Sequence, residues 1–237
     1  MPKYSSGIKR GGNKKAAEPT VHGVPQSKID KLRGTREQMK PGEQTWEVVK
    51  EDYARVGIQV TDEYAKGVWS AVNNYTGSGY FDMRKAYALE RGGRLHDLDA
   101  HDKDLLAQYK LCMEYCKIAP TVKLPSGYEV SRGIPENGST YTQGLLALKV
   151  GQKWDVDGMP TSFTTKPSVS HNWAGHGGIV IHAPASALKN TPAIRGMSAF
   201  SNEYEAFLAD YNWKIGNISD QRKEGDGRYH IYLEPAS

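Results

Sequence analysis

The chain has 237 residues, 38% hydrophobic and 24% charged, enough apolar material for one ordinary domain core plus an accessory segment. No apolar run approaches the roughly 20 residues a membrane helix needs, so no membrane partner is expected, and Met1 to Lys15 is basic and glycine-rich without the apolar stretch of a secretory signal. The net charge of +4 is unevenly placed: residues 1–40 hold ten Lys/Arg against three Asp/Glu, a balance of +7, and the remainder carries −3.

Residues 1–44 therefore read as a basic tail, disordered or extended. Its plain reading is a solvated segment; its functional reading is an electrostatic handle for an acidic or nucleic-acid partner. From Thr45 the pattern changes. WEVVKEDYARVG, TDEYAKGVWSAVNNYTGSGY, FDMRKAYALERGG and AHDKDLLAQYKLCMEYCKIA carry apolar residues at three- and four-residue spacing, which predicts helices. Thr61-Asp62 and Asp97 to Asp102 supply N-caps and first-turn acids, and Gly92-Gly93 is a stop. Cys112 and Cys116, the only cysteines, share one helix face and read as packed, reduced thiols, not as a disulfide or zinc ligands. That usage suits a reducing cytoplasm. Pro120 closes this helical part, residues 45–120.

From Leu124 the texture becomes β. YEVSRGI, LLALKVGQKW, GGIVIHAP, EYEAFLADYNWKIGNIS and RYHIYLEP are short β-branched and aromatic runs separated by Gly, Pro, Asn and Ser. Helices followed by strands, without βαβ alternation, argue an α+β fold: a helical N-terminal half and a mostly antiparallel β core at 121–237, together one domain over 45–237. No GxGxxG opens a helix after a strand, so the dinucleotide fold which that motif signals is not expected.

Several local features carry chemistry. Arg132, in YEVSRGIP, is a lone cation on an apolar strand; it is either a strand-end arginine facing water or a guanidinium gripping phosphate through paired N–H donors. Residues 161–170 are rich in hydroxyls. On a strand, Ser162 and Thr164 would point to one side while Phe163 faces the interior. Glu203 and Glu205, at i and i+2, face the same way as a β-run begins. That is a solvated acidic edge, or a pair whose repulsion demands cationic and hydroxyl neighbours. Tyr75 and Tyr80 flank Thr-Gly-Ser-Gly and either sit in the core or frame a flat or phosphorylated ligand. His171, His176 and His182 lie near a strand, and solvated or turn histidines describe them better than metal ligands.

In this order the residues resemble the Arg…Ser-x-Ser/Thr…Glu-x-Glu signature of bacterial and phage mono-ADP-ribosyltransferases, including the enzymatic components of clostridial binary toxins and the small phage transferases. The likeness runs from about Val68 to Leu233. GGIVIHAPASALKN looks like the family's central strand and its proline-ended exit. Phe200 falls where the family places an aromatic in the acceptor loop, and Tyr75 and Tyr80 match the tyrosine pair of the toxin branch. Two departures stand out. Met159-Pro160-Thr161 precedes Ser162 where the family has an aromatic, which leaves a register shifted to Thr161 open. Arg84 stands where an asparagine is usual.

The resemblance implies a two-sheet β core and NAD⁺ as co-substrate, held by Tyr75, Tyr80, Arg84, Arg132, Gly133, Ser162, Phe163, Thr164 and Glu205, with no metal. It implies that Arg132 grips the diphosphate or ribose edge. Glu205, oriented by Ser162, would stabilise the oxocarbenium-like charge. Phe200 and Glu203 would engage the acceptor, and an acid at 203 points to arginine on a host-cell protein. The setting implied is an injected or phage-encoded effector in the cytoplasm of the producing or target cell, or on the virion. The rival readings are an NAD glycohydrolase and a virion or nucleic-acid accessory with a vestigial NAD site. A retaining glycosidase is disfavoured, because its two acids normally come from separate segments.

Overall fold

The structure, a computed structural model, describes residues 18–123, 129–154, 161–184, 190–199 and 213–236, and the backbone of 205–208. The chain opens on a hairpin, β1 (Thr20–Val21) with β2 (Val24–Pro25), turned by His22 and Gly23 at positive φ. Helix α1 (Gln26–Leu32) and the short strand β3 (Thr35–Arg36) follow. This corrects the expectation of a tail up to residue 44. Ile29 of α1 is fully buried and Val21 nearly so, and both join the helical core. The basic side chains around them masked two apolar anchors. Residues 1–17, which carry much of the tail's charge, lie outside the described residues.

The four expected helices form as α2 (Trp46–Arg55), α3 (Asp62–Tyr75), α4 (Tyr80–Arg91) and α5 (Ala100–Ile118). Thr61 accepts the Tyr64 amide and Asp99 the Asp102 amide, so both predicted caps satisfy an otherwise orphaned donor. Gly92 ends α4. The helices close around Tyr53, Val68, Val72, Met83, Tyr109, Tyr115 and Ile118, with Cys112 and Cys116 buried among them. Each large apolar side chain so buried contributes about 1.5–3 kcal/mol. Ile194 and Met197, from the β half of the sequence, complete this core.

The β half contains β4 (Thr121–Val122), β5 (Glu129–Ile134), α6 (Thr140–Leu146), β6 (Lys153–Trp154), β7 (Thr161–Thr164), α7 (Pro167–Ala174), β8 (Ile179–Pro184), β9 (Glu205–Leu208), β10 (Trp213–Asp220) and β11 (Tyr229–Pro235). Seven strands make one sheet in the order β6-β10-β11-β8-β5-β7-β9, antiparallel throughout except where β11 meets β8. The expected two-sheet core is thus one continuous curled sheet, whose halves join through a single register pair, Ser131↔Thr164. The strand expected over 145–154 is a helix followed by two strand residues. Ser139 caps α6 by accepting the Thr142 amide, and only Leu145 of α6's leucines is fully buried. The apolar face holds Val130, Ile134, Trp154, Phe163, Ile179, Ile181, Trp213, Ile215, Ile231 and Leu233.

Candidate active site

Strand β5 alternates as a half-buried sheet strand should: Val130 and Ile134 are buried on the apolar face, and Arg132 stands between them opposite Ile181. A guanidinium among aliphatic side chains carries a desolvation cost that a partner must offset. Arg132 Nη1 donates to the carbonyl oxygen of Ser162 at 2.8 Å, which ties β5 to β7 just where their ladder has only one pair. Its Nε is buried without a hydrogen-bond partner, and among the described residues no carboxylate pairs with it. The side chain is only half-buried.

On β7 the expected alternation holds through Phe163 but not at Thr164, which is buried, its hydroxyl accepting the Lys166 amide at 3.0 Å. Phe163 turns into the core, edge-on to Trp154 at 6.2 Å, and Ser162 is half-exposed. Thr161, the alternative start of the hydroxyl motif, is buried on the same side as Phe163. The ladder to β9 pairs Ser162 with Phe207 and Thr164 with Glu205. Thr164 is in turn the partner of Ser131. Glu205, Thr164 and Ser131 therefore stand in one row across three strands, within roughly 10 Å of backbone. Phe200 and Glu203 lie outside the described residues, and Glu205 is described by its backbone alone.

Gly133 is placed differently from the expectation of a cofactor contact. A Cβ there would stand 1.8 Å from the Ser170 carbonyl oxygen and 2.7 Å from the Ala174 nitrogen, so helix α7 lies directly on it. The neighbouring Ser131 and Ser170 hydroxyls bond at 2.6 Å. Gly133 thus seats the helix that follows the hydroxyl strand and fixes β5 beside Arg132, and it is not open to a ligand. Sequence reasoning missed α7, although Pro167 at its start and Gly175 at its end mark a helix of just this extent.

The tyrosine pair divides. Tyr75 is 3% exposed, its ring packed 5.8 Å from Tyr109, and burial pushes its hydroxyl well above the ordinary tyrosine range while nearby Arg84 opposes the shift. It is a core residue. Tyr80, the first residue of α4, is 43% exposed, and Arg84 one turn on is half-buried. Of the pair, only Tyr80 offers its ring to a ligand. The turn between them packs on Met197–Ala199, the chain that leads to Phe200.

The histidines also depart from expectation. His176 is exposed, but His182 sits on β8 between two partners, with Nδ1 2.7 Å from Glu129 and Nε2 2.9 Å from Nδ1 of His230. His230 reaches Asp226 at 3.0 Å, and Tyr232 stacks on His182 at 4.5 Å. His171 of α7 packs edge-on to His230. This polar seam binds β5, β8 and β11 on the face opposite the apolar core. Alternation places His182 and Tyr232 on one face, but which strands are neighbours is a topological fact that local pattern does not carry. Among the described residues no group of three or more His, Cys, Asp or Glu is placed to hold a metal.

A helical layer beside a curled, mostly antiparallel sheet, with an arginine strand next to a hydroxyl strand next to a glutamate strand, is the ADP-ribosyltransferase fold. Solved structures with this architecture match nearly the whole chain. The Vis toxin, an ADP-ribosyltransferase from Vibrio splendidus, is 15% identical over 94% of this chain and 89% of its own, with a TM-score of 0.51. Exoenzyme S from Pseudomonas aeruginosa is 17% identical over 89% of this chain and 88% of its own, with a TM-score of 0.50. The C3 exoenzyme of Clostridium limosum is 13% identical over 86% of this chain and 98% of its own, also with a TM-score of 0.50. At such identities the likeness establishes the fold. No protein-family model and no curated protein sequence matches the chain.

Proposed function

We propose that this protein is an NAD⁺-dependent mono-ADP-ribosyltransferase that modifies arginine on a protein acceptor. The observation that carries the reading is Arg132: a cation on the apolar face of a sheet, without a carboxylate among the described residues and with a buried Nε donor unused, beside the strand that pairs with Glu205. A diphosphate supplies the missing charge, and a planar guanidinium suits it bidentately. In this reading the bond between nicotinamide and ribose C1′ breaks, nicotinamide leaves with the electron pair, and Glu205 faces the positive charge that develops on the ribose. A guanidinium nitrogen of the acceptor then bonds to C1′, and its proton passes to Glu203. The neighbours lend support. Exoenzyme S is known in complex with carba-NAD and human 14-3-3 protein beta, and Vis in complex with agmatine, a guanidino compound. Because proteins that share this fold are toxins and exoenzymes, the reading extends to an effector, injected or phage-encoded, acting in the cytoplasm of a target cell.

The test is incubation with NAD⁺ and agmatine, following released nicotinamide and ADP-ribosylated agmatine separately. The wild-type chain should produce both. Glu203→Gln should lower agmatine modification at least tenfold, on the order of 1.4 kcal/mol, while nicotinamide release into water survives at a substantial fraction of wild type. No nicotinamide release under any condition would reduce the protein to a binding module on a transferase fold. Release without modification would make it a glycohydrolase.

A further inference from the structure

We propose that Ser131 and Ser170, a buried hydroxyl pair between β5 and α7, are positioning residues that hold Arg132 against the hydroxyl strand for NAD⁺ binding. The inference rests on the transferase reading above. Strand β5 is laddered to β8 along its whole length, from Glu129↔Pro184 to Ile134↔Ile179, and β7 to β9 along its own. Between β5 and β7 the ladder has the single pair Ser131↔Thr164. The sheet is weakest at this seam, and the proposed site straddles it.

Two side-chain ties close the seam, one on each face of β5, because adjacent strand residues point to opposite sides. On the apolar face Arg132 Nη1 donates to the Ser162 carbonyl oxygen. On the other face the tie runs through α7. The Ser170 hydroxyl donates its one proton to the Pro167 carbonyl oxygen at 2.9 Å, so Ser131 is the donor in the 2.6 Å bond between the serines. Pro167 opens α7 three residues after Thr164, the last residue of β7, and between them the Lys166 amide donates to the Thr164 hydroxyl oxygen. The line from Ser131 through Ser170 to Pro167 therefore joins the residue before Arg132 to the end of the hydroxyl strand. Both serines are buried, so these bonds form away from competing water.

The helix is pressed on bare backbone to either side of the pair. Gly133 carries Ser170 and Ala174, and a Cβ on Gly178, just before β8, would overlap the Ala174 carbonyl oxygen and lie 2.8 Å from that of Ile134. Contact with glycine sets how near the helix lies, not where along the strand it sits. The directional bond between the hydroxyls sets that register. Without it, only the Arg132 side chain and one ladder pair hold β5 to β7. An arginine that grips the diphosphate equally in ground state and transition state shows its displacement in KM and not in kcat.

The experiment follows nicotinamide release at varied NAD⁺ in the full-length wild type, Ser131→Ala, Ser170→Ala and Thr142→Val, the last an equally buried hydroxyl in α6. Both serine variants should raise KM for NAD⁺ at least fivefold with kcat within twofold, and Thr142→Val should leave KM unchanged. In an Arg132→Lys background Ser170→Ala should add less than twofold, because the group it acts through is already lost. Hydrogen exchange should accelerate in peptides covering 129–134 and 161–166 but not in those covering 229–235. An unchanged KM, a fall in kcat as large as the rise in KM, effects that multiply with Arg132→Lys, or exchange that rises everywhere alike would each overturn the proposal. Ser170→Ala strands the buried Ser131 donor; should it fail to fold, Ser131→Ala, which leaves Ser170 bonded to Pro167, decides by the same measurements. A wild-type chain that releases no nicotinamide would sink the transferase reading instead, and the exchange measurement would still decide whether the serine pair holds β5 to β7.

Discussion

The helical layer and the sheet each draw a charged group from water, wholly in one and by half in the other, and they treat it oppositely. Asp52, buried in the helical layer, accepts from both Nη atoms of Arg36 at 2.9 and 2.5 Å, from Arg55 at 2.9 Å and from the Tyr115 hydroxyl at 2.7 Å. Every lone pair has a use. Tyr115, fully enclosed, has its own ionisation pushed far up by burial and by this carboxylate, so it donates to Asp52 while accepting from the Gln44 side-chain amide at 2.9 Å. On the sheet, Arg132 has one carbonyl and an unused donor. A buried charge with complete partners is architecture. One left incomplete on the sheet is the observation on which the proposed NAD⁺ reading rests.

The contrast breaks most visibly if mutation shows the two charges to be alike. Asp52→Ala strips the carboxylate from two arginines and should cost roughly 3 kcal/mol of folding stability by urea titration, with NAD⁺ turnover per folded molecule unchanged. Glu205→Gln should do the reverse, cutting nicotinamide release about a hundredfold, or ~2.7 kcal/mol in the transition state, at an unchanged urea midpoint. If instead the midpoint collapses and the folded fraction stays active, Glu205 is structural. Arg132→Lys keeps the charge but loses the fork, so KM for NAD⁺ should rise about tenfold, ~1.4 kcal/mol, with little change in stability. A stability loss resembling that of Asp52→Ala, without a KM effect, would erase the distinction between the two sites.

The smallest effect sharpens the picture of the sheet. Burial holds His182 and His171 below the ordinary histidine value of 6.5, with Glu129 pulling His182 the other way. Their neutral forms are favoured in the folded chain, while the unfolded chain takes up protons near 6.5. The stability they contribute is therefore present at pH 7.5 and fades as pH falls below about 6.5. Urea midpoints measured from pH 7.5 to 5.5 should fall more steeply for wild type than for His182→Gln. Parallel slopes would show that the seam does not sense pH.

How much of this is legible in the sequence depends on the range of the interaction. Helices α2 to α5 are legible because spacing and caps are local, and Thr61 and Asp99 cap where their residue types predict. Alternation along 161–163 is legible for the same reason, with Phe163 inside and Ser162 half-exposed, whereas the burial of Thr164 is not. Helix α7 hides because it buries only Ser170 and Ala174, which leaves no apolar stripe to see. Tyr75 reads equally well as ligand contact or core until Tyr109 is beside it. The neighbours β5, β7 and β9 are not consecutive, and the bond from Asn73 to Met197 spans 124 residues, so no local pattern announces either.

Strand β11 follows every other strand in sequence, yet it lies between β10 and β8, and β8 is the strand against which β5 and Arg132 are laid. On the ribosome, Arg132 emerges about a hundred residues before Pro235, roughly 5 to 20 s at ordinary elongation rates. In that interval β5, β7, β8 and β9 all emerge, but β8 lacks its parallel neighbour and β10 its link to the rest of the sheet. The sheet is thus made continuous across its middle by the strand that is synthesised last.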